Sequence, residues 1–501
     1  MRITRMHSYF AVVAAAVTSA VFAAPPHASA QSSGPAKADT LALSVDEAVQ
    51  LALRIGDEAR TADAMIDIAE AQVTIARASA LPQLRLNSTY THTLENARAQ
   101  AVGQIFNQPN TYNTNANLSQ TFFQGGREWA AGRAASRTRA AARLNAAEAR
   151  AQLALDVQRA YLNALFADRL MVIRGTGLKL AEERLVQVEQ FQGAGRAARF
   201  DVLRARVERT NLEPAVIEAT NERELALLEL KRLTNIPSAQ PVRLTTAIDT
   251  SAVQALLAAF ATDTVDAVRS RPSVRAAEMM ADARRSAVTA ARADMLPTVA
   301  AFLQSGFQAF PPIGSGFPSE RGRISTIPCP DDPPDPTCRP VTQQNGGWFT
   351  DRLVGLQISW PIFDGLRARG NIELARAQER LALIELQQER EAVAVEIARA
   401  RAAVERARSL FTAQRQNAVE ADEALRLASL RFARGLGTQL EASDAQLALL
   451  TAQTNEARTV YDLYLAAAEL ARALGRPIPV PPSAIPSRTS DSSTSAPSTR
   501  Q

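Results

Sequence analysis

A formal charge of +5 spread over 501 residues is too weak a basic balance to point to nucleic acid, and arginines alternate with glutamates in the manner of solvated helix faces. Aromatic residues are scarce and much of the apolar share is alanine, which favours long, thin, closely packed helices over a thick core. Beyond residue 30 the only histidine is His92, which excludes a histidine-based triad or a histidine-rich metal site.

The chain opens as a secretory signal peptide, residues 1–30. Arg2 and Arg5 supply the positive start, Phe10 to Ala24 the apolar segment, and Ala28-Ser29-Ala30 the cleavage site before Gln31. No later run of apolar residues is long enough for a membrane helix, so the exported chain is either soluble or enters a membrane as β-strands.

A helix is expected over Val45 to Ala80, stopped by Pro82. Two strands follow around a polar loop, at Leu84–His92 and Ala116–Phe123 (a pair over about 83–124). Leu84, Leu86 and Tyr90 alternate with Arg85, Asn87, Thr89 and Thr91. Two long helices, Glu128–Gln190 and Phe200–Leu233, then flank a glycine-containing tip at 191–200, with Pro214 as a kink candidate.

The same order then repeats. Arg77 to Pro82 is echoed by Arg292 to Pro297, an offset of 215; Phe123-Gln124-Gly125 is echoed by Phe363-Asp364-Gly365, an offset of 240. The mature chain is therefore a tandem duplication, 31–240 and 241–475, followed by a Pro/Ser/Thr-rich tail over 476–501 that reads as disordered. The second copy has a helix at Val265–Asp294, strands at Val299–Phe307 and Val354–Trp360 (a pair over about 298–363), and an enlarged loop, Pro311–Gly347. Cys329 and Cys338 in that loop read as a local disulfide of an exported chain. Without a nearby histidine they make a poor metal pair, and no metal or cofactor site is expected.

The hairpin Leu366–Leu474 bends at a tip over 432–440. Its outgoing arm carries a heptad seam: Val393, Ile397, Ala400, Val404, Ala407, Phe411, then Ala418, Ala421, Leu425, Ala428 and Phe432. The return arm reads Leu440, Ser443, Leu447, Leu450, Thr454, Ala457, Tyr461, Tyr464 and Ala468. Alternating strands of about ten residues suit a membrane β-barrel or a small soluble sheet with one buried face. Four strands cannot close a barrel, and open edges are not tolerated in lipid, so several chains must contribute. Three chains would bring twelve strands.

Three features together resemble the TolC-like outer-membrane factors of bacterial efflux and type I secretion systems. They are the duplicated helix ending in Leu81-Pro82 and Leu296-Pro297; the strand ends Thr121 to Gly126 and Trp360 to Gly365; and Gly195 followed by Asp201-Val202-Leu203-Arg204-Ala205, echoed from Gly435. The resemblance spans most of the mature chain. It implies an α+β membrane protein, with a long coiled-helix barrel and a transmembrane β-barrel shared by a homotrimer. It also implies a passive exit duct in the outer membrane of a Gram-negative bacterium, reaching into the periplasm. The duct would be docked to a periplasmic adaptor and an inner-membrane pump of the RND or ABC type. No phosphate loop, metal cluster or nucleophile–base pair is visible, so an enzyme is not expected, and the charge pattern points to no nucleic-acid partner.

At the tip, Glu441 and Asp444 share one helix face. They either face solvent or, as the family's acidic pair does, line a periplasmic constriction; here Glu stands first where the family has Asp. Asp201 and Arg204 are the first-copy counterparts. They either link neighbouring tips, or Asp201 simply complements its own helix dipole. Gly195, Gly435 and Gly437 suit tight turns and close approach by an adaptor hairpin. Competing readings are a type I protein secretion duct, a periplasmic adaptor and a structural coiled coil.

Overall fold

The computed structural model describes residues 40–102, 109–246, 267–311, 317–327, 341–344 and 346–476. The expected signal peptide, the expected Cys329–Cys338 disulfide and all of the tail beyond Arg476 lie outside these residues.

Among the described residues the order is β1 (Leu41–Leu43), α1 (Val45–Ile55), α2 (Asp57–Ala78), β2 (Gln83–His92), α3 (Ala97–Val102), β3 (Asn110–Gln124), α4 (Arg127–Gly193), α5 (Arg199–Thr234) and β4 (Val242–Leu244). Then come α6 (Ala267–Ser270), α7 (Pro272–Arg292), β5 (Thr298–Ala309), β6 (Ile324–Ile327), β7 (Val341–Gln344), β8 (Trp348–Ser359), α8 (Arg367–Ala433) and α9 (Gln439–Ala473). The long helices α4 and α8 both have 67 residues and start 240 positions apart. Each is about 100 Å long at about 1.5 Å per residue.

The first helix is not continuous. Gly56 takes an extended backbone and separates α1 from α2; any Cβ there would sit 2.4 Å from the Ala52 carbonyl oxygen. The second copy breaks at Arg271, just before Pro272. Pro214, by contrast, lies within an unbroken α5.

Helices α2, α4, α7 and α8 pack side by side in that order near the sheet; α5, α4, α9 and α8 do so towards the tips. The shorter helices therefore stack end to end, α5 under α2 and α9 under α7, alongside continuous long partners. Alanines carry much of this packing, as at Ala130, Ala141, Ala146, Ala276 and Ala283. Charged pairs lace the flanks: Arg143–Glu70 and Arg150–Asp63 join α4 to α2, Arg390–Glu278 joins α8 to α7, and Arg223–Asp168 joins α5 to α4.

The two joints differ. Beside the first, β1 and β4 pair in parallel and cover an apolar cluster of Leu43, Val45, Ala48, Leu153, Val157, Tyr161 and Leu230. The Tyr161 hydroxyl donates to the Leu43 carbonyl (2.8 Å) and accepts from Thr245 and Thr246 N–H (3.2 Å each). Exposed Arg232 spans this joint to Glu58 (3.2 Å) while pairing with Glu229 (2.9 Å). At the second joint Arg271, only 2 % exposed, donates to the last carbonyls of α9, at Arg472 (2.8 Å) and Ala473 (2.9 Å). It also grips both Glu148 oxygens (2.8 and 3.0 Å) and reaches Glu396 (3.3 Å). Arg472 joins the same two carboxylates. Burial alone would lower the Arg271 pKa, but hydrogen bonds and charge from Glu148 and Glu396 outweigh it and raise the value overall.

Strands β2, β3, β5 and β8 form one antiparallel sheet in that order, with β2 and β8 as open edges. A bulge falls between Thr121 and Phe123. Leu84, Leu118, Leu303 and Val354 line up across all four strands, and every one is exposed. A soluble sheet would cover such a row with its own chain; here nothing described does. Towards the far end Tyr90, Tyr112, Phe317 and Trp348 stack, with the Trp348 indole donating to the Pro318 carbonyl (2.8 Å).

Candidate functional site

The tips are built by one device used twice. At the end of α4, Arg196 N–H bonds back to the Phe191 carbonyl (2.7 Å); at the end of α8, Leu436 N–H bonds back to Arg431 (2.9 Å). This six-to-one bond needs a left-handed residue one position earlier. Gly195 and Gly435 supply it, both at φ +74°. Gly437 has a different reason to be small: a Cβ there would meet Glu441 Oε2 at 3.0 Å and the Arg431 Cβ at 3.2 Å.

The next helix starts are capped differently. In the first copy Asp201 accepts from Ala198 N–H (3.0 Å), so its carboxylate serves its own helix. In the second copy Thr438 accepts from Glu441 N–H (3.2 Å), leaving the Glu441 side chain to lie 3.8 Å from the Arg431 guanidinium. Both side chains of that pair stay largely exposed, and so does Asp444 one turn further on. Arg204 and Asp444 come together as lining of one cleft of about 340 Å³ between α5 and α9, without an ion pair.

The contacts that join the two hairpins involve other residues. Ser443 donates to Glu208 (2.6 Å), tying α9 to α5. Arg184 of α4, buried, donates to Ser429 of α8 (3.0 Å) and lies over the Phe432 ring (5.4 Å). Burial lowers its pKa, opposed by the charge of Glu208. Buried Gln446 donates to the Gly177 carbonyl (3.1 Å), which closes α9 onto α4. An apolar knot of Val188, Val202, Ala205, Phe432 and Ala442 fills the space between. The sequence carried a signal for Arg184: Gly177, Ala181, Arg184 and Val188 follow a four-three-four step, so a charge occupies a seam position.

The return arm of the second hairpin follows the apolar seam expected of it only away from the tip. Leu450, Tyr464 and Ala468 are buried, but nearer the tip Leu440 and Leu447 are exposed, whereas Gln439, Ala442, Gln446 and Leu449 are buried. The outgoing seam, from Val393 to Phe432, is buried at Val393, Ile397, Ala400, Ala407, Phe411, Ala418, Leu425 and Phe432.

Among the described residues no helix is long and apolar enough to cross a membrane, and no acidic, histidine or cysteine cluster could hold a metal.

The chain matches the family model described as outer membrane efflux protein over residues 49–235 and 265–476, one segment in each copy of the duplication. Nodulation protein T of Rhizobium leguminosarum bv. trifolii is 24% identical over 409 residues, covering 79% of this chain and 78% of that protein. The outer membrane protein VceC of Vibrio cholerae superposes with a TM-score of 0.67 at 20% identity, over 87% of this chain and 97% of that one. The CmeC outer membrane channel of Campylobacter jejuni gives 0.70 at 17% identity, over 86% and 85%.

Proposed function

Because the chain belongs to the outer membrane efflux protein family, we propose that three copies close into a passive exit duct for substrates of a tripartite efflux pump. One observation carries the trimer: a sheet with two open edges and an exposed apolar row, set on hairpins about 100 Å long. A lipid environment does not tolerate open edges, so β2 of one copy pairs with β8 of the next until the sheet closes. The same closure covers the lateral helix faces, where Ile68, Ile75, Ile217 and Leu225 are exposed on one side and Leu374, Leu381, Ile384 and Val419 on the other.

In this reading the sheet lies in the outer membrane and the helices cross the periplasm. The tips meet a periplasmic adaptor, whose partner is an inner-membrane pump. No chemistry takes place in this chain; the pump selects the cargo and the duct lets it out. Gly195 and Gly435 give the tips their tight turns, which suits close approach by an adaptor hairpin. Glu441 and Asp444, exposed at the entrance, form carboxylate rings in the trimer that favour cations.

Conductance across planar bilayers tests this assignment. Glu441→Ala combined with Asp444→Ala is expected to lower cation preference and raise conductance. If both quantities stay at their wild-type values, the carboxylate constriction is wrong.

A further inference from the structure

Midway along the helices a cleft of about 730 Å³ opens between α4, α8 and α9, level with the second joint. Four arginines line it, Arg159, Arg399, Arg406 and Arg472, against only two carboxylates, Glu396 and Glu469. Both carboxylates are already engaged. Glu396 holds Arg472 (2.5 Å) and Arg271 (3.3 Å), and Glu469 holds Arg159 (2.9 Å). Arg159 also reaches Asp156 (3.4 Å). Arg399 and Arg406 make no hydrogen bond or ion pair among the described residues, and both are exposed; Arg406 acts on half-buried Asp462 only through its charge. They are seven residues apart on one side of α8, about 10 Å along the axis.

The face on which the cleft opens is set by α4. Val157 and Tyr161 hold the β1–β4 pair and α1, while Leu155 and Arg159, two positions away from each, point to the opposite side of the helix. In the duct reading, three copies of the β1–β4 unit would block the tube if they faced inward; with them outside, the cleft would open on the lumen.

We propose that this cleft is a luminal site for anionic solutes, in which Arg399 and Arg406 receive two carboxylate, sulfonate or phosphate groups about a nanometre apart. The luminal placement rests on the duct reading; the anion site itself does not. A tube entered past carboxylates at Glu441 and Asp444 would then offer this guanidinium pair at mid-length. That pair gives an anionic cargo a stopping point on its way out.

The probe is pyrenetetrasulfonate, titrated by fluorescence anisotropy into the detergent-solubilised full-length trimer, with current block measured in planar bilayers. Wild type is expected to bind the dye in a salt-dependent manner. Arg399→Gln with Arg406→Gln should weaken binding by at least about tenfold, since charge-assisted bonds contribute about a decade or more each. The double lysine variant should retain most of the binding. Neither arginine forms a hydrogen bond or ion pair among the described residues, so the variants are expected to keep the trimer, which size-exclusion checks. Equal affinity of wild type and the double glutamine variant overturns the site. Binding that leaves the wild-type current unblocked overturns the luminal placement. A preparation that binds dye but conducts no current overturns the duct reading while leaving the site standing.

Discussion

Replacing Arg271 with methionine keeps the volume of the side chain and removes its charge and donors. The side chain is only 2 % exposed and directs its donors at two α9 carbonyls, both oxygens of Glu148, and Glu396. Breaking a buried ion pair by removing one partner costs about 3–5 kcal/mol, because the remaining charges stay desolvated. Arg472 still touches Glu148 (2.9 Å) and Glu396 (2.5 Å), which places the expected loss at the lower end, about 3 kcal/mol. That corresponds to roughly a hundredfold faster amide exchange in the last turn of α9 and the first turn of α7. Arg232 spans the other joint but is 57 % exposed, as are its partners Glu229 (54 %) and Glu58 (46 %). Its methionine variant should lose at most about 1 kcal/mol, or about fivefold in exchange. Hydrogen exchange with mass spectrometry on the solubilised protein reads both joints in one experiment. Equal protection changes at the two joints, or less than about a tenfold change for Arg271→Met, would refute burial as the source of the difference.

Two further outcomes are expected. Ser443→Ala with Glu208→Gln removes a charge-assisted bond between the two hairpins, one of a class that contributes about 1.5–3 kcal/mol. Single-channel recordings should show longer openings, and unchanged dwell times would mean this bond does not hold the tips together. Asp462 has its pKa raised by burial, with Arg458 and Arg406 pulling it down. Its folded state therefore binds the proton more tightly; the stability this gives is present at low pH and is lost as pH rises through the raised value. Asp462→Asn should thus stabilise the protein near neutrality, with the gain shrinking towards about pH 4. A thermal-midpoint difference that stays flat across that range contradicts the assignment.

Much of the helical body was legible because long-range repetition and heptad spacing are both written in residue types. The offset of 240 reappears in helix starts, turn glycines and the two six-to-one bonds. The outgoing seam of α8 could be read because its neighbours lie within the same chain. The return arm could be read only in part: Leu450, Tyr464 and Ala468 are buried as expected, but near the tip Leu440 and Leu447 are apolar yet exposed, and Gln446 is polar yet buried because a backbone carbonyl at Gly177 accepts its amide. Hydrophobic spacing assumes that apolar residues face inward within one chain, and that assumption fails on helices whose outer faces await another copy. Arg271 was illegible for a different reason. A single arginine before a proline has no periodic partner, and its four contacts come from residues about 120 to 200 positions away. The turns at the tips were legible from Gly195 and Gly435. The links across it, Arg184 to Ser429 and Glu208 to Ser443, have no echo in the other copy, so repetition could not point to them.

The staggered ends of the helices constrain how the duct can move. Every joint between short helices lies beside a helix that runs through without a break, α4 beside the first and α8 beside the second. No cross-section of the protomer therefore passes only through joints, and a hinge at that level would have to bend two intact helices. Displacement begun at the tips would be channelled into sliding and twisting of neighbouring helices along their length. The mid-tube would then keep its bore while the entrance changed, and the arginine cleft would have the same width in both states.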